Sequence, residues 1–196
     1  MTRTLIVPGL DGAEAPHWQQ WWAATDRNAV MVELSEPWRP TPAVWEIELA
    51  TAILANPDCI LVGHALGAVL IAQLMATWPH LNVRAALLVA PVETQGDDRI
   101  GHFGALPEAR LTIPTTVVAS RNDPWMSFSR ARHLSHVWGS ELVDLGLAGH
   151  VDAASGFGPW ARGKALRDDL VARSAPAVAA APARRLWGSR MRGARV

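Results

Sequence analysis

The segment Gly63-His64-Ala65-Leu66-Gly67 has the residue types and spacing of a sharp turn that can carry a nucleophile. Apolar residues before Gly63 predict a buried strand, and those after it predict a helix. Enzymes that attack a carbonyl group with serine hold it in such a turn, in the pattern Gly-x-Ser-x-Gly, because strand and helix come too close there for neighbouring side chains. The central residue is Ala65, so the turn keeps its backbone strain without a nucleophilic atom.

Two polar residues further along the chain fit the rest of such a site. Asp123 comes just after the apolar run 115–119, and His150 follows Gly149 in the loop after the last predicted strand. The order of nucleophile position, aspartate and histidine is that of a triad carried by parallel sheets. We therefore expect Asp123 to orient His150, and His150 to act as general base.

Backbone donors for a developing oxyanion are expected at two leucines. The segment Pro8-Gly9-Leu10-Asp11-Gly12 follows the first predicted strand and can present the N–H of Leu10. Together with the N–H of Leu66, which follows the nucleophile position, it would form a two-donor oxyanion hole.

Each of these residues also has a structural interpretation. Gly-x-Ala-x-Gly can arise by chance in an alanine-rich chain, Asp123 can cap the helix predicted near Ser127, and His150 can be a loop histidine with ordinary hydrogen bonds. Their common order and sequence context favour the catalytic interpretation.

The elements that must position these residues alternate between short apolar runs and longer segments of helical period, which is typical of a parallel sheet covered on both faces. The predicted class is α/β. The predicted strands are 4–7, 30–34, 60–62, 85–90, 115–119 and 141–145, and the predicted helices are 17–24, 42–55, 66–77, 127–137 and 159–172. The longest connection, 92–114, is expected to be functional or mobile.

Length and composition indicate one domain, residues 1–173, and an Ala/Pro/Arg-rich tail, residues 174–196. Hydrophobic residues make up 49% and charged residues 18% of the 196 residues, which excludes disorder for most of the chain. Five arginines but no acidic residue follow Arg173, so the first 173 residues carry 13 basic and 18 acidic side chains, a net charge of −5. That balance argues against nucleic-acid binding, and we expect the tail to be loosely ordered or docked through Leu186 and Trp187.

Other signals are negative. The only cysteine, Cys59, lies in an apolar run and is expected to be a buried structural thiol. His133 and His136 share a predicted helix face without further metal ligands, so we expect neither a metal nor a cofactor. The apolar N-terminal run is too short for a signal peptide or membrane span, and we expect a cytoplasmic protein without a membrane partner.

Four segments together resemble one family: VPGLDGAEAPHWQQWW, LVGHALGA, SRNDPWMSF and GLAGHVDAASGFGPW. They are similar to the small α/β-hydrolases related to retinoblastoma-binding protein 9 and the bacterial YdeN proteins, over residues 1 to about 172. The resemblance implies a three-layer α/β-hydrolase-like sandwich, a mostly parallel sheet of about six strands and no large lid domain. It implies a serine hydrolase with Ala65 at the nucleophile position, Asp123 as acid, His150 as base, and Leu10 and Leu66 as oxyanion donors.

Apolar and aromatic residues near these motifs are candidates for an acyl or alcohol pocket. They are His17, Trp18, Phe103, Trp125, Met126 and Trp160, and for each apolar one a place in the core is an equal alternative. His17 is expected to pack near the oxyanion loop, and His64 is expected to support the turn.

Two classes of function follow. In the first, the chain is a hydrolase of small carboxylic esters or related acyl compounds whose nucleophile has been lost recently or replaced, and it holds its small-molecule substrate uncleaved. In the second, it is a natural pseudo-hydrolase that binds a ligand or a protein partner. An amidase, thioesterase or acyltransferase on the same triad stays open, because pocket shape chooses the leaving group and acceptor.

Overall fold

Six parallel strands form the centre of the structure, a computed structural model that describes residues 2–174. Across the sheet their order is β2-β1-β3-β4-β5-β6. The strands are β1 (Thr4–Val7), β2 (Ala29–Met31), β3 (Cys59–His64), β4 (Val83–Val89), β5 (Thr115–Ala119) and β6 (Glu141–Asp144). The predicted α/β class with a six-stranded parallel sheet is confirmed.

Helices cover both faces of this sheet. They are α1 (Trp18–Thr25), α2 (Pro42–Ala55), α3 (Leu66–Thr77), α4 (Phe128–Trp138) and α5 (Ala161–Ser174), with a short 3₁₀ turn at Gly101–Phe103. The buried residues of α2, α3 and α4 share one core cluster, and those of α1 and α5 share another. Successive β3 residues alternate between the clusters, with Leu61 in the first and Val62 in the second, because side chains of a strand point to opposite faces. The result is the expected three-layer sandwich without a large lid domain.

The carboxyl ends of the central strands lie together at one edge of the sheet. Val7 of β1 pairs with Gly63 of β3, and His64 of β3 pairs with Val89 of β4. Pro8, which has no N–H, follows the last residue of β1, so the chain leaves the sheet directly beside the turn after β3. In open α/β sheets this edge is where ligands bind.

The structure also bears on the predictions about the cysteine, metal binding and membrane spans. Cys59 is fully buried, and burial raises the pKa of its thiol to about 11, as suits a structural cysteine. Residues 2–174 contain no group of three or more histidine, cysteine, aspartate or glutamate side chains that could hold a metal ion. In the same range no helix is long and apolar enough to cross a membrane. The predicted docking of Leu186 and Trp187 lies outside the described residues.

Candidate active site

The turn between β3 and α3 is strained at its central residue. Ala65 has φ 52° and ψ −120°, a sparsely populated conformation that costs on the order of 1–3 kcal/mol. Its N–H donates to the carbonyl oxygen of Val89 at 3.0 Å, which ties the turn to the neighbouring strand. The methyl group of Ala65 borders a cavity, so a side chain at this position is presented to a ligand.

Glycines on both sides make the turn possible. A Cβ atom on Gly63 would lie 2.7 Å from the backbone of Ala68, and one on Gly67 would lie 2.3 Å from the carbonyl oxygen of Val7. Real Cβ atoms essentially never come so close to backbone atoms. The two glycines of the sequence pattern are therefore required by the packing of α3 against β1 and β3.

The loop after β1 approaches the turn closely. A Cβ atom on Gly9 would lie 3.1 Å from the Ala65 Cβ and 3.4 Å from the Leu66 nitrogen. Leu10 and Leu66 both border the cavity, and within residues 2–174 neither backbone N–H has an acceptor. These are the two donors expected for an oxyanion, and both are free to bind a ligand oxygen.

His150 and Asp123 form a hydrogen-bonded pair at the same edge of the sheet. The His150 Nδ1 lies 2.9 Å from Asp123 Oδ2 and 3.0 Å from Oδ1, and both side chains are largely buried. Asp123 Oδ1 also accepts the N–H of Trp125 at 2.9 Å. The carboxylate therefore holds the imidazole by Nδ1, which leaves Nε2 as the nitrogen for chemistry. Asp123 does not cap α4, because the Ser127 hydroxyl does so by accepting the N–H of Arg130.

Two loop contacts fix the backbone of the histidine. The His150 N–H donates to the Ser155 hydroxyl at 3.1 Å, and the Gly149 N–H donates to the Asn122 side-chain oxygen at 2.8 Å. The second contact joins the histidine loop to the loop that carries Asp123. The pair is thus oriented by the backbone as well as by its own hydrogen bonds.

Three imidazoles lie in a row beside the turn and border the same cavity as Ala65. The His64 ring centroid lies 4.9 Å from that of His17 on one side and 4.9 Å from that of His150 on the other. Burial, assisted by the neighbouring His150 and His17, lowers the pKa of His64 to about 3. Burial also lowers the pKa of His17 to about 4, although the charge of Asp152 raises it. Both rings are neutral at pH 7.

The cavity in front of the turn has a volume of about 330 Å³. Among the predicted residues, Ala65, Leu10, Leu66, His150, His17 and Trp125 line it. The remaining walls are mixed, with apolar residues such as Val92 and Ile100 and charged residues at the rim. A small organic molecule fits a space of this size.

Four residues expected to line the pocket lie in the core instead. Trp18 and Trp160 pack edge to face at 5.1 Å in the cluster under α1 and α5, and Phe103 packs on Trp45 at 5.7 Å in the opposite cluster. Met126 is buried in that opposite cluster as well. These side chains support the loops around the cavity without bordering it.

The charged residues of the lining were not predicted from the sequence. Asp11, Asp97, Arg99 and Asp152 border the cavity, and Arg99 bridges to Asp11 at 3.0 Å. Two of these residues could have been found from their position beside the motifs, because Asp11 follows Leu10 and Asp152 comes two residues after His150. Arg99 and Asp97 lie in the long connection, where no sequence pattern marks a position near the site.

A family model and solved structures match this chain over most of its length. The family model described as serine hydrolase matches residues 4–168. A YdeN-like hydrolase of Pectobacterium atrosepticum is 31% identical, with a TM-score of 0.80 over 90% of this chain and 94% of that chain. The comparison with curated proteins finds no match.

Two more distant structures share the fold. The ydeN product of Bacillus subtilis is 18% identical, with a TM-score of 0.67 over 88% of this chain and all of that chain. The esterase RhEst1 of Rhodococcus is 16% identical, with a TM-score of 0.63 over 86% of this chain and 91% of that chain. With a family model matched over most of its length and a relative at 31% identity, the chain belongs to the serine hydrolase family.

Proposed function

We propose that this chain binds small carboxylic esters or related acyl compounds in the cavity and holds them without forming an acyl-enzyme. The observation that carries the proposal is the His150–Asp123 pair, whose Nδ1 and Oδ2 atoms lie 2.9 Å apart at the same edge of the sheet as the strained turn. The N–H of Leu66 in the turn and that of Leu10 in the loop after β1 are free, but Ala65 has no hydroxyl. These groups support an acyl-binding site from which only the attacking oxygen is missing.

The chemistry of the site with a serine at position 65 follows from this arrangement. The serine oxygen would attack the carbonyl carbon while His150 Nε2 takes its proton, and Asp123 would stabilise the resulting imidazolium. The N–H groups of Leu10 and Leu66 would bind the oxyanion. Return of the proton to the leaving oxygen would give an acyl-enzyme, which water then hydrolyses. With alanine at position 65 these reaction steps cannot begin, because no side-chain oxygen is present to attack the carbonyl carbon.

Restoring the serine tests the proposal. We expect the folded Ala65→Ser variant to react with a fluorophosphonate probe and to hydrolyse p-nitrophenyl esters, whereas the unaltered chain and the Ala65→Ser, His150→Ala double variant do neither. Loss of a triad nucleophile costs about 10⁶ in kcat, so the gain from Ala65→Ser should span several powers of ten. A panel of amides and thioesters in the same assay would show which leaving groups the site accepts.

The second candidate is a natural pseudo-hydrolase, and Ala65 itself is the observation that favours it. That candidate predicts that a folded Ala65→Ser protein gains no labelling and no ester hydrolysis. Such a result would contradict the intact-site proposal and direct the search to non-acyl ligands and protein partners.

A further inference from the structure

His17 presents an unused hydrogen-bond donor to the cavity. At the start of α1 its Nδ1 accepts the N–H of Gln19 at 3.2 Å, so the proton of the neutral ring resides on Nε2. The side chain is 7% exposed and borders the cavity. Among the described residues, Nε2 has no hydrogen-bond partner. Gln19 Oε1 is the only fully buried side-chain N or O atom of the described residues without a partner, so the His17 Nε2–H is accessible from the cavity and can donate to a ligand or to water.

Asp152 presents an acceptor to the same cavity. Its Oδ1 accepts the N–H of Ser155 at 2.8 Å. Burial acts to raise the pKa of Asp152, but the hydrogen bonds from Ser155 together with the electrostatic effect of His150 and His64 leave the pKa lowered, so the group is a carboxylate at pH 7. No lysine or arginine of residues 2–174 pairs with it. Arg99, the cation of this cavity, is already held by Asp11 at 3.0 Å and by Asp97 at 3.7 Å.

The two groups line the same cavity. Among the described residues no hydrogen bond joins them, and the charge of Asp152 acts to raise the pKa of His17. A single group that contacts both must accept one hydrogen bond from His17 and donate one to Asp152. A hydroxyl group does both.

Other polar groups fit this arrangement less well. An ammonium group has three donors and no acceptor, so it would satisfy Asp152 and leave the N–H of His17 unpaired. A second carboxylate would accept from His17 but would be repelled by Asp152. A methyl group would satisfy neither and would keep both polar groups from water.

We propose that the cavity selects acyl compounds that carry a hydroxyl group close to the reacting carbonyl, with His17 Nε2–H donating to the hydroxyl oxygen and Asp152 accepting its hydrogen. This inference rests on the proposed function, since it assumes that the cavity holds an acyl compound. It adds the substrate feature that the site recognises.

Binding of uncleaved methyl esters to the unaltered chain tests this inference directly. Each hydroxy ester is compared with the ester in which a methyl group replaces the hydroxyl: methyl 2-hydroxybutyrate with methyl 2-methylbutyrate, and methyl 3-hydroxybutyrate with methyl 3-methylbutyrate. Ligand-observed NMR gives the dissociation constants. We expect at least one hydroxy ester to bind about tenfold more tightly than its methyl counterpart, because a site built for a hydroxyl discriminates against the analogue that lacks it.

Three variants show which side chains cause the preference. His17→Asn keeps a side-chain oxygen that can cap α1 but removes the imidazole donor. Asp152→Asn keeps an oxygen for the Ser155 N–H but removes the charge. In both variants the ratio of the two dissociation constants should fall close to one. His80→Asn, at an exposed histidine after α3, makes the same change as His17→Asn away from the cavity and should keep the tenfold ratio.

The outcomes separate the two proposals. If no ester binds, the proposed function is wrong and this inference falls with it. If the esters bind but the hydroxy esters have no advantage, or keep it in both His17→Asn and Asp152→Asn, the proposed function stands and the hydroxyl inference is wrong. Tighter binding of methyl 2-aminobutyrate than of methyl 2-hydroxybutyrate would also overturn it, in favour of a cationic group at Asp152.

Discussion

The Nε2–H of His64 donates to the backbone carbonyl oxygen of His150 at 2.9 Å, so the residue before Ala65 holds the loop that carries His150. A carbonyl oxygen only accepts, and the low pKa of His64, about 3, keeps the ring neutral with its proton on Nε2. One buried hydrogen bond thus connects the strained turn with the loop that carries His150.

Removing this hydrogen bond should weaken both the fold and the site. We expect His64→Ala to lower the free energy of unfolding by roughly 2–5 kcal/mol, because it leaves a buried carbonyl without a donor and opens a cavity. Urea unfolding at pH 7 measures this change, with His80→Ala as an exposed control. A His64→Ala protein as stable as the parent would show that the hydrogen bond contributes nothing.

The Asp123 carboxylate should matter far more for rate than for folding. In the Ala65→Ser protein, Asp123→Asn should lower kcat for p-nitrophenyl esters by about 10⁴-fold, because an amide favours the wrong tautomer of His150. Asp98→Asn, an exposed aspartate in the long connection, should leave kcat unchanged. Equal kcat values for Asp123→Asn and its parent would mean that the 2.9 Å contact has no part in catalysis.

Gly63 is predicted to tolerate no side chain. Gly63→Ala places a Cβ atom 2.7 Å from the backbone of Ala68, so β3 and α3 must separate, at a cost of roughly 1–3 kcal/mol. The matched control is Gly101→Ala, where the nearest atom to the new Cβ is the Thr94 carbonyl oxygen at 3.7 Å. Thermal unfolding of both variants should show a clear loss for Gly63→Ala alone, and equal melting temperatures would contradict the packing argument.

The sequence predicted the sheet and helices well, because period and turn residues are local properties. Helices α2 and α3 and strand β5 have the predicted bounds, whereas β2 was expected to reach residue 34 and ends at Met31. Val32 and Leu34 continue the apolar character after Met31, but β1 ends at Val7, before Pro8, and its last residue paired with the edge strand is Ile6. Pairing, which depends on distant residues, decided this boundary.

The pocket was less predictable than the motifs, because an apolar residue near a motif can point to the cavity or to the core. Trp18 is fully buried, and its indole N–H donates to the carbonyl oxygen of Val151, 133 residues away. No residue near Trp18 in the sequence predicts that its hydrogen-bond acceptor is Val151. Charged lining residues such as Asp152 are equally hard to predict from the sequence, since a polar residue in a loop is ordinarily exposed to solvent.

The neutral state of His17 makes stability depend on pH. Its pKa is 6.5 in an unfolded chain and about 4 in the folded protein, mainly because of burial. Between these values the unfolded chain binds a proton that the folded protein does not, so the free energy of unfolding falls as pH drops from about 6.5 to about 4. At 1.36 kcal/mol per pKa unit the contribution of His17 is about 3 kcal/mol, and it is fully present above pH 6.5.

Replacing His17 isolates this contribution. His64 is also buried, with a pKa of about 3, so its neutral state in the folded protein makes the free energy of unfolding fall over the same pH range. Both the parent and His17→Asn should therefore become less stable as pH falls. The His17→Asn curve should be the shallower one, because asparagine does not titrate. Urea unfolding at pH 7, 6 and 5 measures the two slopes, and His80→Asn should follow the parent. Parallel curves for the parent and His17→Asn would mean that His17 takes up its proton in the folded state near pH 6.5. It would then be cationic in the cavity at mildly acidic pH.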